Sequence, residues 1–222
     1  MAFESAAVTV YQSRSQQRHE EVQEVIPPDY EGVMVTDRGR SYDAQAFDAV
    51  AQQKCWAPIL RSSSDVLQTK KGRARDFGER LKALWQDAMP LWHAWHAGDV
   101  TDFGTEAHTV WDAITHHVRP RLLSDPDNQR LLNGIGRQHD RGPLLRLLVD
   151  PQVEPTNNRA ERVLRPAVIA RKVSQCSKNQ AGAQAFAAFK SVVQTLAKQG
   201  VGSMVEGLYR LFRSARLHTA SP

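Results

Sequence analysis

The chain has 222 residues, of which 41% are apolar, 24% charged and 7% aromatic, the make-up of a folded globular protein rather than a disordered one. A net charge of +5 and a pI near 9.4 suit a polyanionic partner, because clustered Lys and Arg release counterions from nucleic acid. No apolar run approaches the roughly 18 residues of a membrane span, Glu4 stands where a secretory signal carries positive charge, and Cys55 and Cys176 lie too far apart in sequence to indicate a disulfide framework or paired-cysteine zinc site; a cytoplasmic protein without a membrane partner is expected.

In chain order, AAVTVY at 6–11 is a short β-branched run that predicts a strand. SQQRHEEVQEV at 15–25 combines polar residues with helix formers and stops before Pro27-Pro28, predicting a short exposed helix. GVMVT at 32–36 is continuously apolar, the pattern of a strand covered on both faces, and ends in the turn signal Asp37-Arg38-Gly39. QKCWAPIL at 53–60 is a weaker strand candidate, closed by Pro58.

From Ser64 the text turns helical. Phe77, Leu81, Leu84, Trp85, Ala88, Leu91 and Trp95 form one stripe with a kink expected near Pro90. Phe103, Ala107, Val110, Ile114 and Val118 form a second, stopping before Pro120. Ser124-Asp125-Pro126 starts a third helix, and Leu144 to Val149 adds a turn or two. Residues 181–199 and 203–215 are amphipathic helices parted by Gly200 and Gly202. The expected division is a sheet portion at 1–63, an α-helical insertion at 64–150, further helices at 151–216 and a frayed tail at 217–222. The fold class is α/β, predominantly helical.

PTNNRAERVLRP at 155–166 sets Glu161 among arginines, and from Thr156 to Lys178 it is the sole acid beside Arg159, Arg162, Arg165, Arg171, Lys172 and Lys178. A local reading has Thr156 or Asn157 capping a helix and Glu161 pairing with Arg165 four residues on. The other reading is a basic surface gripping phosphates while one carboxylate holds a divalent cation. Asp37 is a second candidate ligand, since α/β sheets place ligands beyond the carboxyl ends of buried strands. On position alone the simpler reading of Asp37 is a turn former.

GVMVTDRGRSYDA, QQKCWAPILR, DPQVEPTNNRAERVLRPAVIARKVSQCS and AGAQAFAAFKSVVQTLAKQG together resemble the catalytic part of transposases of the insertion-sequence 66 family, over about residues 6–211. The block from Asn157 to Arg162 is the most specific part of the likeness. The resemblance implies a DDE transposase: an RNase H-like sheet bearing two Asp and one Glu, two bound Mg²⁺ or Mn²⁺ ions, and DNA strand cleavage and transfer. By it, Asp37 is the second Asp and Glu161 the Glu. It further implies transposon-end DNA on Arg159, Arg162, Arg165, Arg171, Lys172 and Lys178, with Asn157 and Asn158 in structural roles beside the site. Its protein partner is a second copy or an intact transposase.

Only 36 residues precede Asp37, room for the family's third strand (at 6–11) and first helix but not for its first two strands, the first of which carries the first Asp. Glu4, Asp29 and Glu31 lie on no apolar run suited to that strand. Arg38 stands where the family commonly has Gly, and Pro58 where it commonly has His. The resemblance therefore implies an incomplete RNase H-like domain interrupted by an all-α insertion, short of one metal ligand and inactive alone; the alternative is a non-catalytic remnant that binds DNA or an intact transposase. The strand at 6–11 is expected to lack its usual neighbour and the strand at 32–36 to keep one unpaired edge. His93/His96 and His116/His117 suggest a metal, but no cysteine is near, and Trp92 and Trp95 flank the first pair as in helix packing. Trp56, Trp85, Trp92, Trp95 and Trp111 read as core or helix-contact residues, and Cys55 as buried.

Overall fold

A computed structural model describes residues 1–119, 121–173 and 177–219, with side chains to 214. Tertiary contacts divide the chain into two compact units: Met1–Ile26 with Asn158–Pro222, and Pro27–Asn157. That division follows contacts, whereas the one at 63/64 and 150/151 follows sequence character.

In the first unit, β1 (Ala2–Glu4) and β2 (Thr9–Tyr11) form an antiparallel pair with Phe3 opposite Val10. The strand at 6–11 is thus shorter than its pattern suggests, because Ser5 makes the connecting turn, its Oγ accepting from the N–H of Ala7 and Val8 at 3.3 and 3.0 Å. The strand, expected to lack its usual neighbour, has β1 as an antiparallel partner. α1 (His19–Gln23) sinks only Val22 fully. α6 (Asn158–Val173) packs on β1, α7 (Gln180–Lys198) on β2, and α8 (Met204–Thr219) on α7.

The outer edge of β2 is closed by side chains. Thr195 Oγ1 accepts the Thr9 N–H and donates to the Thr9 carbonyl, both at 3.1 Å, and Ser191 Oγ accepts the Tyr11 N–H at 2.8 Å. Residues 191 and 195 are one helical turn apart, and 9 and 11 share one strand edge, so the two periodicities meet. Tyr11 Oη donates to the Val163 carbonyl at 2.6 Å, tying β2 to α6. Beyond α7, Gly200 takes the left-handed conformation (φ +69°) that stops helices without a Cβ clash.

In the second unit, β3 (Met34–Thr36) and β4 (Gln52–Lys54) run parallel, Thr36 opposite Lys54. Among the described residues β3 has no other strand partner, as its unpaired edge was expected. The strand predicted at 53–60 is corrected. Only 52–54 is extended, and Pro58 lies in the first turn of α2 (Ala57–Thr69), where its missing N–H costs nothing. α3 (Arg73–Ala97) runs on through Pro90, α4 (Phe103–Val118) stops two residues before position 120, and α5 (Pro126–Asp140) starts as predicted. Asp125 Oδ1 caps α5 by accepting from the N–H of Asp127 and Asn128.

The apolar stripes of α3 and α4 meet α5 and the 144–148 segment in one core containing Trp56, Leu81, Trp85, Ile114, Leu132 and Leu147. Trp56 and Trp85 are buried with ring centroids 5.5 Å apart, and Trp92, Trp95 and Trp111 pack against the rim. Trp56 Nε1 donates to the Leu144 carbonyl at 2.8 Å, so the large ring is buried without stranding its donor. Gln53 joins the same seam, donating to the Leu144 carbonyl and accepting the Leu147 N–H, both at 3.0 Å. Cys55 is buried. His93 and His96 pack edgewise and tilted against Trp92, at 5.1 and 4.1 Å. No helix is long and apolar enough to cross a membrane among the described residues.

Candidate functional site

Asp37 leaves the carboxyl end of β3 half-buried. Its Oδ1 accepts the Gly39 N–H at 2.8 Å, so one oxygen turns the chain and Oδ2 remains for another partner. Beside it lies Lys54, 0% exposed. Lys54 Nζ donates to Thr36 Oγ1 at 3.2 Å and Gln52 Oε1 at 3.1 Å, and pairs with Asp43 Oδ1 at 2.8 Å. Burial draws the Lys54 pKa down; the hydrogen bond to Asp43 and the charges of Asp43 and Asp37 push it up, and Arg141 lowers it further. The ammonium is thus paired with Asp43 and feels the charge of Asp37, since a buried cation persists only where it is paired.

Arg38 places its guanidinium against α5. A Cβ at Gly134 would come within 2.8 Å of Nη2. Burial lowers its pKa, Asp43 raises it and Arg137 lowers it.

Glu161 stands exposed in the first turn of α6, where a carboxylate favours the positive end of the helix dipole. Among the described residues no ion pair joins it to Arg165, so the local i,i+4 pairing expected from sequence is not made. Arg162, Arg165, Arg171, Lys172 and Lys178 are exposed, Arg159 is half-buried, and α6 fully buries none of its side chains. α6 begins at Asn158. Asn157 Oδ1 is buried without a hydrogen-bond partner, so of the two cap candidates, Thr156 and Asn157, the Asn157 side-chain oxygen does not cap the helix.

The two candidate ligands fall in different units, Asp37 in the second and Glu161 in the first. Both offer the hard oxygens that Mg²⁺ and Mn²⁺ take, so the donor type fits. The donor number falls short: among the described residues no three His, Cys, Asp or Glu side chains gather to hold a metal. Glu4, set aside for lying on no apolar strand, does sit on β1. Its carboxylate is engaged by Lys198 and by the Thr9 hydroxyl at 2.7 Å.

A family model described as transposase IS66 family matches residues 2–185. The chain belongs to the IS66 transposase family. The match takes in both Asp37 and Glu161 and ends within α7, leaving α8 beyond it. No curated protein and no solved structure matches the chain.

In this IS66-family chain the partners missed by sequence reasoning are Lys54 and Asp43. The run QQK carries no apolar signal of burial, and only the 3-10 turn at Arg40–Asp43 brings Asp43 to Lys54.

Proposed function

We propose that the chain supplies part of the catalytic machinery of a DDE transposase, cutting and joining DNA at transposon ends, with an RNase H-like arrangement of its strands. Family membership supports transposition as the class of function. The observation that carries the residue assignment is the exposed carboxylate of Glu161, without an ion pair among the described residues, on an otherwise basic helix. An acid kept as the i,i+4 partner of Arg165 would be expected to close on it. Asp37 and Glu161 would hold Mg²⁺ or Mn²⁺, which when bound activates an oxygen nucleophile and stabilises the leaving oxygen at phosphorus. Arg159, Arg162, Arg165, Arg171, Lys172 and Lys178 would grip phosphates and set the register of the duplex without reading bases. Lys54 and Asp43 would fix the strand end that presents Asp37.

A strand-transfer assay with Mg²⁺ or Mn²⁺, comparing the chain with Glu161→Gln and Asp37→Asn, tests this reading. Product from the unaltered chain that vanishes in both variants would carry the assignment; product undiminished by either substitution would remove it. Duplex binding measured against salt tests the basic helix: Arg162→Ala with Arg165→Ala should flatten the log-log slope by about 0.9 per lost contact.

The incomplete donor set favours a second reading, in which the chain binds DNA, a second copy or an intact transposase without cutting alone. Salt-dependent binding with no product from the unaltered chain, and product on adding an intact transposase, would select it.

A further inference from the structure

We propose that a cleft in the second unit seats one unpaired nucleotide of the DNA substrate, its phosphate on Arg146 and Arg141 and its base over an apolar floor. This deepens the DNA-processing reading above and rests on it. The cleft encloses about 600 Å³ between the 42–52 segment and the end of α5 with the turn that follows, within the range of roughly 300–1,000 Å³ typical of small-ligand sites. Ala49, Ala51 and Pro143 give it accessible apolar surface over the buried Phe47 and Val50, while Arg141 and Arg146 supply cations.

The charges there are unequally committed. Asp43 is neutralised by Lys54 at 2.8 Å, and its other oxygen accepts from Gln138 Nε2 at 3.1 Å. Asp48 is exposed and 3.9 Å from Arg141. Among the described residues the Arg141 guanidinium otherwise donates only to the Asp43 carbonyl, at 3.3 Å, and Arg146 is exposed with no ion pair. Two loosely held guanidiniums beside a neutralised carboxylate suit a phosphate, whose oxygens match the guanidinium fork. The floor suits the face of a base. Gln138 Oε1, buried without a partner, supplies an acceptor for a base amine, the kind of group that buried acceptors normally find.

Position favours a nucleotide over an acidic peptide. Asp43 belongs both to the cleft and to the Lys54 cluster beneath Asp37. A nucleotide in the cleft would lie against Asp43, the ion-pair partner of the Lys54 whose ammonium also feels the Asp37 charge, as a strand processed near Asp37 requires.

The test measures fluorescence anisotropy of a labelled single-stranded hexanucleotide and of a duplex. Proteins are the unaltered chain, Arg146→Ala, the Arg141→Ala/Arg146→Ala double variant, and the α6 variant Arg162→Ala/Arg165→Ala. Thermal melts confirm that each is folded. Loss of a charge-assisted contact should weaken single-strand binding by about tenfold in Arg146→Ala and further in the double variant, leaving duplex binding within about twofold. The α6 variant should show the reverse. Unlabelled dAMP competing as well as the hexanucleotide would identify a free nucleotide as the occupant and overturn the assignment to a DNA strand. A hexaglutamate competing equally would reduce the site to a general anion patch and overturn it likewise. Single-strand affinity unmoved by the cleft variants, with duplex binding intact, would overturn the cleft alone. Absence of both kinds of DNA binding at low salt would overturn the DNA reading with it.

Discussion

His117 provides a pH test of the helical core. It lies buried on α4 with its ring stacked on Phe77, centroids 5.3 Å apart and planes at 18°. Arg121 Nη2 is 3.3 Å from Nδ1, and because arginine only donates, Nδ1 is the acceptor and the imidazole is neutral. Burial, then Arg121, lowers the His117 pKa from 6.5 to about 4; Arg80 and His116 add to this, while the Phe77 backbone opposes it. Between those values the unfolded chain binds a proton that the folded chain refuses, so stability is full above about pH 6.5 and falls with pH. At about 1.4 kcal/mol per pH unit the whole interval is worth about 3 kcal/mol. Every tryptophan lies between residues 56 and 111, so Trp fluorescence during urea unfolding reports on the second unit. His117→Leu should start less stable at pH 7 but lose about 2 kcal/mol less on going to pH 4.5. Carboxylate titrations are common to both proteins and cancel in the difference. Parallel losses would refute the assignment of this titration to His117.

Three further outcomes are expected. Ser191→Val with Thr195→Val strips the hydroxyls from the β2 edge and should cost about 2 kcal/mol in urea unfolding, with added light scattering as the strand edge opens; unchanged stability would deny the edge a structural role. Lys54→Met leaves Asp43 without its buried cation and should cost about 3 kcal/mol, most of it recovered by adding Asp43→Asn; a double variant no better than the single would show that the pair is not coupled. Asp125→Ala removes both the α5 cap and one of the two carboxylates holding Lys70, and a fall in stability of about 1 to 2 kcal/mol by thermal melting is expected.

What the sequence determined by itself was mostly helical. Phe77, Leu81, Leu84, Ala88 and Leu91 recur with the helical period, and Asp125-Pro126 states a cap and first turn within two residues, so local chemistry fixed those elements without knowledge of their neighbours. The 34–36 strand and the basic, single-acid character of α6 were legible for the same reason. Other features exist only through partners. β1 is three residues long and stable only because β2 and α6 receive it, and Pro58 reads as a strand stop until Trp56 is seen anchored to the Leu144 carbonyl with a helix starting after it. Glu161 and Arg165 stand at the right spacing to pair and do not, while Lys54, polar in sequence, is wholly buried because Asp43 and Thr36 reach it across the fold. Periodicity is a property of consecutive residues, but charge partnership and strand edges depend on groups far apart in the chain, and those only the tertiary structure decided.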